Sequence, residues 1–294
     1  MKKAFLFITV LATDAIISRV LLQGESSEVY RAIPDFLVLT IVVLVGGTFY
    51  FLKNKSKLLS ILRIFTGGFR MKKDSGLSPL EEKKILTGAL YSHQQGAYLN
   101  SLNADIDSEK LYTILGEWWG IEDSDSARDK LDYLQNKGFN YYFPIVWQAF
   151  HAESQEEQEF IILNNMTNDE DRQKAFDQLS NLKESVDIMK NLKVINDIDD
   201  IKRYGVIGWD TGRNVFVARL CYDAKYINEN EAWSYINPAY DLAQATFNSW
   251  EDLSKSYIIG RFLWGGKDAN NGMDVLAEEL LTKDDSPWKT VAWK

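Results

Sequence analysis

Two apolar stretches follow one another at the start of the chain, and each is long enough to cross a membrane. They occupy residues 4–22 and 33–52. A transmembrane helix needs about 20 mostly apolar residues, so the pattern predicts a hairpin of two spans within residues 1–57. Lys2 and Lys3 followed by an apolar run also resemble a secretory signal, and a cleaved signal followed by one span is the alternative.

Basic residues lie on one side of the predicted hairpin. The segment 23–35 between the spans contains a single basic residue, Arg31, whereas residues 53–73 contain seven. Because lysine and arginine are enriched in cytoplasmic loops, we expect both termini in the cytoplasm and the hairpin in a bacterial inner membrane. The lipid bilayer is thus the first predicted partner. A cleaved signal would leave the same cytoplasmic domain, provided that the second span stays.

Asp14 and Arg19 interrupt the first span. Ionisable groups inside a membrane are costly and therefore functional candidates. Arg19 lies near the outer end, where its long side chain reaches the interface, and Asp14 can pair with it or with a neighbouring helix. This position favours a structural or assembly role, and an ion or proton path is the alternative.

Beyond residue 80 the apolar positions recur every three to four residues, which is typical of helices that bury one face. A short strand is an alternative only at Tyr204–Ile207. The pattern predicts a mainly all-α fold in three parts: a transmembrane hairpin at 1–57, a basic linker at 58–80 and a multi-helix cytoplasmic domain at 81–294. Helices are expected at residues 81–99, 108–119, 124–137, 140–151, 208–224, 228–247, 250–264 and 273–281, with two more within 153–193 and a helical turn at 197–202. The aromatic end of the chain at 286–293 is expected to be extended and to pack on the domain.

The charge is unevenly distributed. The chain has 33 basic and 42 acidic residues and a net charge of −9, with a basic first part and an acidic body beyond residue 100. A basic collar suits anionic lipid, with the acidic body held off the surface. Nucleic acid is excluded as a partner, because binding phosphates needs a basic face.

The chain offers little for metal or cofactor chemistry. One cysteine and two histidines exclude a disulfide framework, a paired-cysteine site and a histidine-rich metal site. The phosphate-binding, dinucleotide-binding, serine-hydrolase and zinc-protease motifs are all absent, so no cofactor and no metal are predicted. Cys221 is interpreted as a small buried hydrophobic residue.

One charged block stands out within residues 208–226. Asp210 and Arg213 are three residues apart, and Arg219 and Asp223 are four apart, so each pair can form an ion pair on one helix face. Further aromatic and basic residues can converge on them from the same and neighbouring helices: Trp209, Trp250, Tyr257, Arg261 and Trp264.

This constellation has two interpretations. In the first, it forms a polar pocket with aromatic walls, where Arg213, Arg219 and Arg261 bind a carboxylate or phosphate. Asp210 or Asp223 would then be the weak candidates for a general base. In the second, it is a buried ion-pair network that fixes the helix register, with tryptophans in the core.

A second cluster lies within residues 115–121. Glu117 beside Trp118 and Trp119 would have a raised pKa if it lay in an apolar setting. The alternative, which we favour, places the tryptophans in the core and Glu117 on the helix surface.

Four motifs resemble a known bacterial family: Leu115-Gly-Glu-Trp-Trp-Gly-Ile121, Gly208-Trp-Asp-Thr-Gly-Arg213, Gly260-Arg261 and Ser286-Pro-Trp288. The family is domain of unknown function 1266, which includes the YbeU- and YbeR-type proteins, and the resemblance covers most of residues 81–294. It implies a predominantly helical fold and supplies no agreed activity. Phe139 departs from the pattern, which has histidine after Gly138, and this weakens any role for an imidazole there.

Three functional hypotheses remain open. The first is a membrane-anchored cytoplasmic domain whose cleft binds an anionic small molecule or the acidic end of a protein partner. The second is an enzyme of unknown reaction that uses Asp210 or Asp223 as acid or base. The third is a structural, immunity or stress-related membrane protein without a small-molecule ligand.

Overall fold

The computed structural model describes residues 68–294, and within them every regular element is helical. The prediction of a mainly all-α fold is therefore confirmed for this part of the chain. No helix within residues 68–294 is both long and apolar enough to cross a membrane. The predicted hairpin at 1–57 and the first ten residues of the predicted linker lie outside the described residues.

The described part contains thirteen α-helices, and three short turns of other pitch adjoin them. Leu86–Gly88 joins α1 to α2, a π-helical turn at Thr113–Trp118 continues α3, and Gly266–Asp268 follows α11. The helices are α1 Pro79–Ile85, α2 Ala89–Gln95, α3 Ser108–Tyr112, α4 Ser124–Asn136, α5 Phe143–Phe150, α6 Gln155–Asn165, α7 Asp169–Asn191, α8 Asp199–Tyr204, α9 Ile207–Asp223, α10 Glu229–Thr246, α11 Trp250–Gly265, α12 Met273–Thr282 and α13 Pro287–Thr290.

Helix ends follow local capping chemistry. The Ser78 side chain accepts a hydrogen bond from the amide of Glu81 and forms a capping box. Asn228 forms a capping box at the start of α10, and the Ser249 side chain accepts a hydrogen bond from the Asp252 amide at the start of α11. Gly96 ends α2 with a φ of 69°, a left-handed conformation that glycine adopts without strain. These short-range signals explain why most predicted helices occur close to their expected positions.

Two local expectations were wrong. The alternative strand at Tyr204–Ile207 does not form, because α8 ends at Tyr204, Gly205 turns the chain with a φ of 55°, and α9 begins at Ile207. The end of the chain, expected to be extended, contains the short helix α13. The expectation that this end packs on the domain is confirmed, since Trp288 and Trp293 are buried.

Helix α9 lies at the centre of the domain. Every residue from Gly208 to Cys221 is buried, and the helix packs against α10, α11, α4 and α2. A helix enclosed on all sides is normally apolar, yet this one carries three charged side chains within that span. Such groups need partners inside the protein, and those partners define the candidate site.

Glycines bring α9 and α11 into close contact. A β-carbon at Gly208 would lie 2.6 Å from the carbonyl oxygen of Leu253, and one at Gly212 would lie 2.9 Å from the Tyr257 ring. On the facing helix, a β-carbon at Gly260 would overlap the side chain of Trp209. These positions favour glycine, because the space for a β-carbon is filled by backbone at Gly208 and by aromatic side chains at Gly212 and Gly260.

The described part of the predicted linker is hydrogen-bonded to the helical domain. The Leu99 amide donates to the Arg70 carbonyl at 2.9 Å, and the Lys72 amide donates to the Asn100 side chain at 2.7 Å. Arg70 also donates to the Gly96 carbonyl at 3.0 Å. Residues 70–72 therefore pack against the loop that follows α2.

Candidate functional site

Asp210 is buried and surrounded by donors. Its carboxylate accepts hydrogen bonds from the amides of Phe139 at 2.9 Å and Asn140 at 2.8 Å, and it pairs with Arg213 at 2.6 Å. Burial raises the pKa of Asp210, and the Arg213 charge and the two amides oppose that rise. The carboxylate thus holds the turn that follows α4. Gly138 in that turn has a φ of 53°, and a β-carbon there would lie 2.5 Å from the carboxylate.

The predicted ion pair between Asp210 and Arg213 is present. Arg213 is 6% exposed, and its Nε donates to the Trp209 carbonyl at 3.2 Å. Its guanidinium carbon lies 4.4 Å from the centre of the Trp209 ring, 4.9 Å from that of Phe139 and 5.6 Å from that of Trp119. Aromatic faces attract a cation electrostatically, so Arg213 is held by one carboxylate and three rings.

Trp209 and Tyr257 lie against each other at the contact between α9 and α11. Their ring centres are 4.9 Å apart in an edge-to-face arrangement, and the side chains are 4% and 1% exposed. Neither the Trp209 Nε1 nor the Tyr257 hydroxyl has a hydrogen-bond partner among the described residues. Two buried donors are therefore left unsatisfied next to Arg213.

Arg261 completes this group from α11. It is 8% exposed, and its Nε donates to the Ala269 carbonyl at 2.5 Å. Burial and the neighbouring Tyr91 raise the pKa of Tyr257, while the charges of Arg261 and Arg213 and the approach of the Arg261 side chain to the hydroxyl lower it. We call Trp209, Arg213, Tyr257 and Arg261 the arginine–aromatic cluster.

The cluster reaches the surface through other aromatic residues. Trp264 is 56% exposed, with its ring 6.1 Å from that of Trp209 and 5.9 Å from the Arg261 guanidinium. Phe139 and Trp119 are half-buried beside Arg213. On the inner side, the Tyr91 hydroxyl accepts a hydrogen bond from Trp119 Nε1 at 3.3 Å. Burial raises the pKa of Tyr91, and the charges of Arg213 and Arg261 oppose the rise.

The sequence pattern placed Trp264 in this group, but it did not place Trp119, Phe139 or Tyr91 there. Trp119 was assigned to the second cluster at residues 115–121, and Phe139 was singled out only as a departure from the family pattern. No sequence pattern indicated Tyr91, because α2 and α9 are far apart in the chain and meet only through tertiary packing. In the second cluster, Glu117 is on the surface as expected, whereas Trp118, which we placed in the core, is 56% exposed.

Arg219 lies elsewhere and does not form the expected ion pair with Asp223. The side chain is fully buried, and it donates to the carbonyls of Tyr98 at 2.6 Å and Leu102 at 3.2 Å and to the Ser92 hydroxyl at 2.7 Å. Burial lowers the pKa of Arg219 to about 10. The competing partners are carbonyls of the loop after α2, which sequence spacing cannot reveal.

Asp223 holds the same loop from the other side. Its carboxylate accepts hydrogen bonds from the Asn103 side chain at 2.8 Å and from the amides of Ala104 and Asp105 at 2.8 and 3.1 Å. Like Asp210, Asp223 accepts hydrogen bonds from backbone amides of a loop and thereby holds that loop in place. These contacts give both carboxylates a structural task, and the geometry adds nothing in favour of acid–base chemistry.

Trp250 belongs to a separate aromatic group at the end of the chain. Its ring stacks on Trp288 at 5.1 Å and meets Trp293 edge-on at 4.5 Å. Its Nε1 donates to the Val291 carbonyl at 2.8 Å. Trp250 thus anchors the C-terminal segment on α11, away from the contacts of the arginine–aromatic cluster.

Metal and thiol chemistry find little support in the geometry. Within residues 68–294 no three His, Cys, Asp or Glu side chains converge in a way that would hold a metal ion. Cys221 is buried, and burial raises the pKa of its thiol to about 12. This confirms the interpretation of Cys221 as a small buried hydrophobic residue.

The comparison with known proteins yields one family. No curated protein and no solved structure matches the chain. The family described as "Protein of unknown function (DUF1266)" matches residues 114–293, which is more than half of the chain. The match includes the whole arginine–aromatic cluster and leaves Tyr91 outside. The chain belongs to the DUF1266 family.

Proposed function

We propose that this chain is a membrane-tethered binding protein whose helical domain captures an anionic group at the arginine–aromatic cluster. The observation that carries the proposal is the state of Arg261. It is 8% exposed, and within residues 68–294 its guanidinium donates to a backbone carbonyl and has no carboxylate partner in an ion pair. A buried cation without a counter-charge is expensive, and an incoming anion would supply that charge.

The neighbouring donors support the same ligand chemistry. Trp209 Nε1 and the Tyr257 hydroxyl are buried without partners, and each unsatisfied buried group costs about 1–3 kcal/mol. Carboxylates and phosphates are pure acceptors that complement such donors and bind arginine in a fork geometry. Arg213 is already balanced by Asp210, so the cluster has room for about one negative charge.

The rim gives the ligand a route from the surface. Trp264 is exposed, and Trp119 and Phe139 are half-buried. Aromatic rims of this kind bind the apolar part of a ligand, while the inner donors hold its charged end. An anionic small molecule and the free carboxylate of a peptide partner both fit this description.

The proposed membrane anchor is supported by the amino-acid sequence. The two apolar stretches at 4–22 and 33–52 have the length of membrane spans, and seven basic residues follow within 53–73. The proposal places the spans in a bacterial inner membrane with the helical domain in the cytoplasm. If the full-length protein stayed in the aqueous fraction without lipid or detergent, or if protease added outside intact cells digested the domain, the tether would be rejected.

Calorimetric titration of the full-length chain in detergent tests the binding site. The probes are inorganic phosphate and a short peptide with a free C-terminal carboxylate, with the amidated peptide for comparison. We expect Arg261→Ala to abolish binding of whichever anion the wild type binds. Arg203→Ala is the matched control, because the Arg203 side chain is 69% exposed. Equal binding by both variants, or unfolding of Arg261→Ala, would contradict the proposal.

A further inference from the structure

A cavity of about 220 Å³ lies beside α9, lined by residues of α4, α9, α10 and the turn after α4. Of the residues in or bonded to the arginine–aromatic cluster, only Asp210 also lines this cavity. The cavity is therefore separate from the arginine–aromatic cluster.

One wall of the cavity is apolar. It is formed by residues of three helices: Leu134, Ile207, Pro238, Ala239 and Leu242. Leu242 is 44% exposed and Ala239 is 4% exposed, so the cavity extends from the surface toward the buried side of α10. A ligand with an apolar body would shield this wall from water.

The charged groups in the lining are already paired. Lys137 donates to the Asp171 carboxylate at 2.7 Å, and Asp210 is held by Arg213 and two amides. A charged ligand would find no free counter-charge there and would lose its hydration. The electrostatics of the lining therefore favour an uncharged molecule.

Asn214 supplies an unsatisfied polar group. It lines the cavity, is 2% exposed, and its Oδ1 has no hydrogen-bond partner among the described residues. The neighbouring Thr211 hydroxyl donates instead to the Ile207 carbonyl at 2.8 Å. A side-chain amide both donates and accepts, so a ligand amide or hydroxyl would match it.

We propose that this cavity binds a small uncharged molecule with an apolar body and one amide or hydroxyl group, which is hydrogen-bonded to Asn214. Apolar cavities of roughly 150 Å³ accommodate a benzene ring, so the available volume suits a single ring with one polar substituent. The proposal is independent of anion binding at the arginine–aromatic cluster.

Benzamide is a suitable probe, and benzoate is its charged counterpart of the same shape. Saturation-transfer NMR on the full-length chain in detergent micelles measures binding of both, with micelles alone as the blank. We expect benzamide to bind the wild type and benzoate to bind much more weakly. Asn214→Leu removes the amide and should weaken benzamide binding about tenfold, the effect of one net hydrogen bond.

Filling the cavity provides a second, independent variant. Ala239→Leu adds atoms inside the cavity and should abolish benzamide binding. If that variant does not fold, Leu242→Trp at the exposed edge should narrow the entrance and weaken binding. A benzamide signal equal to the micelle blank, equal signals in wild type and all variants, or benzoate binding as tight as benzamide would overturn the proposal. None of these readouts depends on whether phosphate binds elsewhere.

Discussion

Gly260 of α11 lies directly against Trp209 of α9, and a β-carbon at residue 260 would occupy space that the Trp209 side chain fills. Alanine at this position must separate the helices or displace the indole ring. Overpacking of this kind costs about 1–3 kcal/mol, so we expect Gly260→Ala to lower the free energy of unfolding by that amount. Urea titration of the full-length chain in detergent, followed by indole fluorescence, measures the change.

Gly116→Ala is the control for that substitution. No atom lies within 4 Å of a β-carbon placed at Gly116, and alanine is roughly 0.5–1 kcal/mol more favourable than glycine inside a helix. We expect this variant to be as stable as the wild type or slightly more stable. If Gly260→Ala were as stable as Gly116→Ala, the close packing of Gly260 against Trp209 would be contradicted.

Tyr257→Phe should separate stability from binding. The Tyr257 hydroxyl is buried without a partner, so its removal relieves an unsatisfied group and should leave stability unchanged or raise it by about 1 kcal/mol. The same change removes a donor from the arginine–aromatic cluster and should weaken binding of the anionic probe. Urea unfolding and calorimetric titration of the same protein measure the two effects.

Tyr142→Phe provides the opposite case. The Tyr142 hydroxyl is also buried, but it donates to the Asp171 carboxylate at 2.7 Å. Hydrogen bonds to charged groups contribute about 1.5–3 kcal/mol, so this variant should be clearly destabilised while its anion binding stays unchanged. A comparable loss of stability in Tyr257→Phe would show that its hydroxyl has a partner in the free protein.

The local parts of the fold could be predicted from the sequence, and the partners of buried charges could not. Ser78, Asn228 and Ser249 mark helix starts, because the amides they cap lie within three residues. The spacing of Arg219 and Asp223 fits an ion pair as well as that of Asp210 and Arg213. Nevertheless, a loop more than a hundred residues earlier in the chain forms hydrogen bonds with both side chains. Local spacing gives the geometry of a helix face, whereas competition for a buried charge depends on tertiary contacts.

The same limit applies to the candidate site. Asp210 and Arg213 were predicted to form an ion pair, and the structure contains that ion pair. Tyr91 joins the site only because α2 packs on α9, and no periodicity in the sequence reports that contact. The unsatisfied state of Trp209 and Tyr257 is equally invisible in the sequence, since it depends on every neighbour that surrounds the two groups.

Asp171 should make stability depend on pH. Burial alone would raise its pKa, but hydrogen bonds from Lys137, Tyr142 and Asn168 outweigh burial and hold the pKa below its ordinary value of 3.8. A carboxyl group with a lowered folded-state pKa stabilises the fold above its unfolded-state pKa, and that contribution is lost as the pH falls. We therefore expect Asp171→Asn to be destabilising at neutral pH and less so below about pH 4.

Asp169→Asn is the control for this prediction. The Asp169 side chain is 96% exposed and pairs only with Arg172 on the helix surface. Its replacement should change the free energy of unfolding by less than about 0.5 kcal/mol. Urea unfolding of the three proteins at neutral and acidic pH gives the comparison. A destabilisation by Asp171→Asn that is the same at both pH values would mean that the carboxylate is not preferentially charged in the fold.

Trp293 should anchor the end of the chain. Its ring is 6% exposed and meets Trp250 edge-on at 4.5 Å, and its Nε1 donates to the Phe247 carbonyl at 2.8 Å. Removing a buried tryptophan side chain costs about 3–5 kcal/mol, so Trp293→Ala should lower the unfolding free energy by an amount in this range. Trp118→Ala removes an exposed ring and should cost less than about 0.5 kcal/mol. Equal stability of the two variants in urea titration would show that the C-terminal segment does not pack on α11.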